Sequence, residues 1–267
     1  MRALLVRSLA QARYAILGSF FLLAGFQLII IGQAAEIQRT QSFGRVAELL
    51  PAFLQRGLGS RAMLMATFKG TVAFGYFHPV VCLMVCVLAM YVATEPAHEI
   101  ESGLVDLELA RSVPRHRLLT RSLLLSALTV VGAAVFMAAG TWMGTRAFDA
   151  PMSEMPSAAT RAKLLINLSA TAACFLSFAL LVAVLSNRWV TAFTTTALAA
   201  IVLYLVDFVA IGWPPMRAVS WISPFHYYPA LSVVAGESGL GGNVAILAGA
   251  SGACIAAAYW RFSRRDL

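Results

Sequence analysis

The sequence predicts an all-α membrane protein: six transmembrane helices in one transmembrane domain spanning residues 1–267. It adds a cytoplasmic N-terminal interfacial helix, a cytoplasmic hairpin after the second span, and a re-entrant or interfacial segment before the last. Three observations lead there. Of 267 residues, 60% are hydrophobic and 12% are charged, about half the charge of a soluble domain. Mean hydropathy is +0.79. Six apolar runs are each long enough to cross a hydrocarbon core roughly 30 Å thick. Together these exclude a soluble enzyme, a disordered chain and a nucleic-acid-binding module.

The spans fall at about 14–33, 71–94, 122–143, 164–186, 189–213 and 244–260. The first resembles a signal peptide in its flanks, with Arg2, Arg7 and Arg13 before it and Ala34 and Ala35 after it. Its apolar core exceeds the roughly 7–15 residues of a signal h-region, so it reads as an uncleaved anchor. Before it, Leu4, Leu5, Leu9 and Ala12 share a helical face with the arginines largely off it, the pattern of a short helix lying in the inner interface. After it, Val46, Leu49, Leu50, Phe53 and Leu54 repeat at helical spacing, which predicts a second interfacial helix on the outer side, interrupted by Pro51.

His78 followed by Pro79 marks a kink in the second span, because proline removes a helical hydrogen bond. Between the second and third spans, residues 95–121 form a polar hairpin. Acids crowd its front and bases its end, complementing a helix dipole, and Pro114 breaks that helix and suits the first turn of the next. Leu104, Val105, Leu107 and Leu109 are left without an evident partner, the mark of a docking surface. The stretch before the last span carries Trp213, Pro214, Pro215, Trp221, Pro224, Phe225, Tyr227, Tyr228 and Pro229. It is too broken to span, and its Trp and Tyr favour the headgroup level.

Six spans put both termini on one side. With the N-terminus inside, the inner segments hold 11 Lys or Arg in 49 residues and the outer segments nine in 87, which is the positive-inside expectation. The net charge of +8 then reflects topology and attraction to anionic membrane lipid rather than nucleic acid. The four cysteines, Cys82, Cys86, Cys174 and Cys254, lie inside apolar runs and read as small hydrophobes. No histidine or acid clusters beside them to complete a metal site.

Few residues carry chemistry. No GxxxxGK[ST] run occurs, so nucleotide hydrolysis by a P-loop is excluded for this chain. Gly249-Ala250-Ser251-Gly252 matches the nucleophile motif of rhomboid-like proteases, yet no histidine base follows Ser251. Its small neighbours read more simply as a close helix-packing face. Asp207 is the sole acid well inside a span, where charge is expensive and points either to function or to an interfacial position. His78, Gln27 and Asn167 are the other polar candidates at depth. Together with Phe225 and Tyr227 they form the candidate pathway or gate.

The run from 99 to 119 resembles the signature of ATP-binding cassette (ABC) type 2 permeases: an acidic pair, a Gly, a Leu-Glu-Leu core, and a Pro followed by basic residues before the third span. The matching positions are Glu99, Glu101, Gly103, Leu107, Glu108, Leu109, Pro114, Arg115 and Arg117. Val105 stands where the family often has Thr or Leu. Phe77-His78-Pro79, Ser223-Pro224-Phe225-His226-Tyr227 and the basic ending Arg261-Phe262-Ser263-Arg264-Arg265-Asp266 extend the likeness in order across nearly the whole chain.

The resemblance implies a multi-pass permease subunit of a bacterial or archaeal cytoplasmic membrane. It would pair with a second copy of itself or a similar permease and dock on a separate ABC ATPase through the coupling hairpin 95–121. ATP and Mg would sit in that partner, with no cofactor or catalytic residue in this chain, and the family favours export. The translocation path would lie between the two copies. The composition alone also admits a gradient-driven secondary transporter or a non-transporting membrane scaffold. Paired broken helices in two related halves would mark the former, and the sequence has neither.

Overall fold

The computed structural model describes residues 2–43, 61–104, 114–237 and 240–264. All regular structure among them is helical. In chain order the helices are α1 (Arg2–Arg39), α2 (Arg61–Met65), α3 (Phe68–Phe77), α4 (Pro79–Ala93), α5 (Glu95–Glu101), α6 (Arg115–Ala147), α7 (Ala158–Leu185), α8 (Trp189–Gly212), α9 (Pro214–Ser220), α10 (Ala230–Ala235) and α11 (Leu240–Ser263). Short 3-10 turns occupy Met152–Glu154 and Pro224–Tyr227. Six stretches are long and apolar enough to cross a membrane: Leu5–Arg39, Phe68–Glu101, His116–Ala147, Ala158–Leu185, Trp189–Gly212 and Leu240–Ser263.

The six expected spans are therefore all present; five of the helices extend beyond the expected bounds at one end or both, while the fifth keeps to them. The separate N-terminal interfacial helix is not. Residues 2–13 are the first turns of α1, because no Gly or Pro interrupts the chain before Gly18 and Ala12 and Ile16 are already buried in the bundle. At 1.5 Å per residue α1 is about 57 Å long, so it protrudes beyond a hydrocarbon core unless steeply tilted. Pro114 caps α6 from just outside rather than sitting in its first turn. The outer interfacial helix expected near 46–54, and Leu107, Glu108 and Leu109 of the hairpin, lie outside the described residues.

The bundle is centred on the second and fourth spans, each 56% buried over its most apolar window, whereas the fifth and sixth are 17% and 11% buried. α4 packs on α6 and α7; α1 lies along α6, and α11 lies along α7. The α1–α6 seam is close because α6 presents glycine to it. A Cβ on Gly140 would run into the Ala24 backbone, and one on Gly132 would run into the Phe20 ring. Small residues that admit a neighbouring backbone are the usual device for helix association in lipid. In the last span the packing face differs from expectation. Leu247, Ser251, Ala258 and Phe262 are buried, while Gly249 and Gly252 face open space.

Both described termini lie at the end of the bundle that carries α5. Ser8 and Gln11 of α1 share a cleft with Glu95, and Phe262 of α11 packs with Leu118. The connections at 148–157 and 213–237 form the opposite end.

Candidate functional site

At the α5 end, polar groups are committed to one another inside the chain. Glu95 and Glu99 sit one turn apart on α5. Both turn toward Arg121 near the start of α6, whose side chain is completely buried. Arg121 Nη2 donates to Glu99 Oε2 at 2.6 Å and lies 3.6 Å from Glu95 Oε2. Glu101 does different work: its Oε2 accepts the Trp189 backbone N–H at 2.8 Å, capping the first turn of α8 where donors lack helical partners. The short helix that continues the second span is thereby tied to the third and the fifth. Beside it a cleft of about 350 Å³ is lined by Ser8, Gln11, Tyr91, Glu95, His98 and Trp189.

The remaining hairpin residues are placed as follows. Gly103 is exposed with φ of +69°, a left-handed conformation that glycine adopts without penalty. Pro114 is half-buried, Arg117 is exposed, and Arg115 opens α6.

The opposite end is organised around the break in the second span. Pro79 has no N–H to give the Gly75 carbonyl, and the Val80 N–H turns to His78 Nδ1 at 3.3 Å, making His78 the N-cap of α4. Two carbonyls thus lose their ordinary helical donors, and at membrane depth such groups must find others. Gln27 Nε2 of α1 donates to Gly75 O at 2.7 Å, and Tyr228 Oη donates to Tyr76 O at 3.1 Å. The approach of Gln27 requires glycine at 75, where a Cβ would stand 2.5 Å from Gln27 Oε1. Tyr76 Oη in turn bonds Thr141 Oγ1 of α6 at 2.6 Å.

Tyr228 reaches this point because the chain after α8 folds back between the helices. Ser223 Oγ donates to the Leu203 carbonyl at 2.9 Å, nine residues before the end of α8 and so about 13 Å along it. Phe225, 4% exposed, packs its ring against Phe175 and Tyr204. The segment is thus inserted at its centre, between Ser223 and Tyr228. Tyr227 is half-buried and bonds the Trp221 carbonyl at 3.0 Å.

The break, α8 and this inserted segment line a half-open cavity of about 470 Å³. Asp207 and Phe225 line it, so two of the six candidate pathway residues meet there. Asp207 Oδ1 is 3.7 Å from His226 Nδ1, a ring nitrogen that also stands 3.2 Å from Ser220 Oγ. Gln27 and Asn167 do not face outward. Both are completely buried within the chain, and neither Asn167 side-chain heteroatom has a hydrogen-bond partner among the described residues.

The sequence gives no role to Arg121, and it marks Tyr228 and His226 only as members of the aromatic segment and of the Ser223–Tyr227 motif, not as a hydrogen-bond donor and a neighbour of Asp207. Two acids at i and i+4 ahead of one arginine at the lip of the next apolar run are a signal for the first. A proline inside a span, with two carbonyls to be served, is a signal that a buried donor such as Tyr228 exists. The chain matches no family model, no curated protein and no solved structure.

Proposed function

We propose that this chain is the membrane-spanning permease subunit of an ABC-type exporter, powered by ATP hydrolysed with Mg in a separate ATPase subunit. The observation that best supports the reading is the attachment of α5. A force on this short helix passes to the third span through Glu99 and Arg121 and to the fifth through Glu101 and the Trp189 N–H. It passes to the second directly, since Thr94 alone separates α4 from α5. A partner that grips the hairpin beyond Glu101 therefore moves three spans together. ATP shifts the membrane conformation only insofar as the closed ATPase binds one arrangement of these helices better than the other.

The break at His78-Pro79 suits such a motion, because carbonyls held by side chains of other helices exchange donors more readily than those in a continuous helix. A second copy of the chain, or a similar permease, completes the path. The test is purification of the tagged chain from its native membrane. An ATPase of the ABC class co-purifies, and Glu108→Arg in the hairpin weakens its recovery at least tenfold while the chain itself still inserts. Recovery of the chain with no ATP-hydrolysing partner overturns the proposal. Uptake driven by an imposed pH gradient without ATP would replace it with a gradient-coupled carrier.

A further inference from the structure

The cavity at the break is chemically lopsided. Its walls are aromatic, with Phe74, Phe77, Tyr204, Phe208, Phe225 and Tyr228 all contributing, and among the described residues Asp207 is the one carboxylate on them. No Lys or Arg lines it among the described residues. The Asp207 side chain is 28% exposed and accepts no hydrogen bond from a described residue; the imidazole of His226, which also lines the cavity, stands 3.7 Å away, beyond hydrogen-bond reach. The nearby Arg217 is occupied elsewhere, donating to the carbonyls of Ala210 and Ile211 at the end of α8. A carboxylate set among aromatic rings, with no hydrogen-bond donor in reach, favours a cation beside it.

We propose that this cavity binds an organic cation with an apolar body, the positive charge resting beside Asp207 and the body among the aromatic rings. The volume of about 470 Å³ falls within the range of small-molecule sites, roughly 300–1,000 Å³. Ring faces attract a cation as the carboxylate does, so one charge is held by two kinds of group, while an anion of the same shape meets both as repulsion. The inference rests on the transport reading only in making such a cation the cargo. Binding is a property of the chain alone.

The experiment uses the purified full-length chain in detergent without any ATPase, so that its failure leaves the association with an ATPase untouched. Equilibrium dialysis compares tetraphenylphosphonium with tetraphenylborate, two ions of nearly the same shape and opposite charge. The expected result is saturable binding of the phosphonium and none of the borate, with Asp207→Asn weakening phosphonium binding at least tenfold. Equal binding of both ions, absence of saturable phosphonium binding, or wild-type affinity in a correctly assembled Asp207→Asn protein would overturn the proposal. The two-ion comparison on the unaltered chain decides even where the variant fails to fold.

Discussion

The two ends of this bundle solve one problem, polar groups inside an apolar assembly, by opposite means. At the α5 end the solution is charge: two carboxylates converge on one fully buried guanidinium. At the break in the second span, near the other end, it is neutral. Two carbonyls freed by a proline are each served by a single side-chain donor brought from a distant part of the chain. The difference is one of stakes. A buried ion cluster is hit hardest by the loss of its single cation, since the carboxylates keep their charge and lose its compensation, whereas each neutral bond can be lost by itself. The first arrangement suits a joint that transmits force and the second suits a joint that changes partners.

The sharpest way to break the comparison is to remove Arg121. Arg121→Gln leaves Glu95 and Glu99 facing each other without their cation, and breaking a buried pair in this way costs about 3–5 kcal/mol. The expected outcome is a large fall in the temperature at which the detergent-solubilised protein loses its monodisperse gel-filtration peak. Glu99→Gln is expected to do less, because Glu95 remains 3.6 Å from the guanidinium. Equal stability of Arg121→Gln and wild type would mean the cluster is not a structural joint.

The neutral end predicts a smaller, separable effect. Tyr228→Phe or Gln27→Leu leaves one buried carbonyl unserved, at about 1–3 kcal/mol each. Pro79→Ala supplies the missing N–H to Gly75 O, so in that background Gln27→Leu becomes nearly harmless while Tyr228→Phe is affected less. A double-mutant cycle measured by thermal denaturation reads this as a coupling of roughly 0.5–3 kcal/mol between positions 27 and 79. Additive effects would mean that Gln27 does not stand in for the lost helical donor.

The spans were legible because length and hydropathy decide them, and the break was legible because Pro79 leaves no alternative. The interfacial helix expected before the first span was misread. Its amphipathic face is real, but nothing in residues 2–13 ends a helix, so the chain simply continues into α1. The small-residue face of the last span was assigned to packing on composition. The structure packs the opposite face, where Leu247, Ala258 and Phe262 fill more volume. Partners remote in sequence were out of reach: nothing local in Ser223-Pro224-Phe225-His226-Tyr227 says that the next tyrosine will seek a carbonyl 152 residues upstream.

Asn167 belongs to neither end's scheme, and it gives the smallest stability effect expected. It is completely buried on α7, its side-chain amide nitrogen and oxygen are both without partners among the described residues, and its backbone carbonyl accepts the Thr171 hydroxyl. An amide held this way pays its desolvation and gains nothing in return, so replacement by a similarly sized apolar group is neutral or stabilising. Asn167→Leu is therefore expected to leave the denaturation temperature unchanged or to raise it, by an amount corresponding to about 1 kcal/mol at most. A destabilisation like that of Tyr228→Phe would instead place Asn167 in a bonded network like that at the break. If stability holds while transport by the assembled complex falls, the amide is retained for a conformation in which it meets cargo, water or another helix. If both are unchanged, Asn167 has no part in the path.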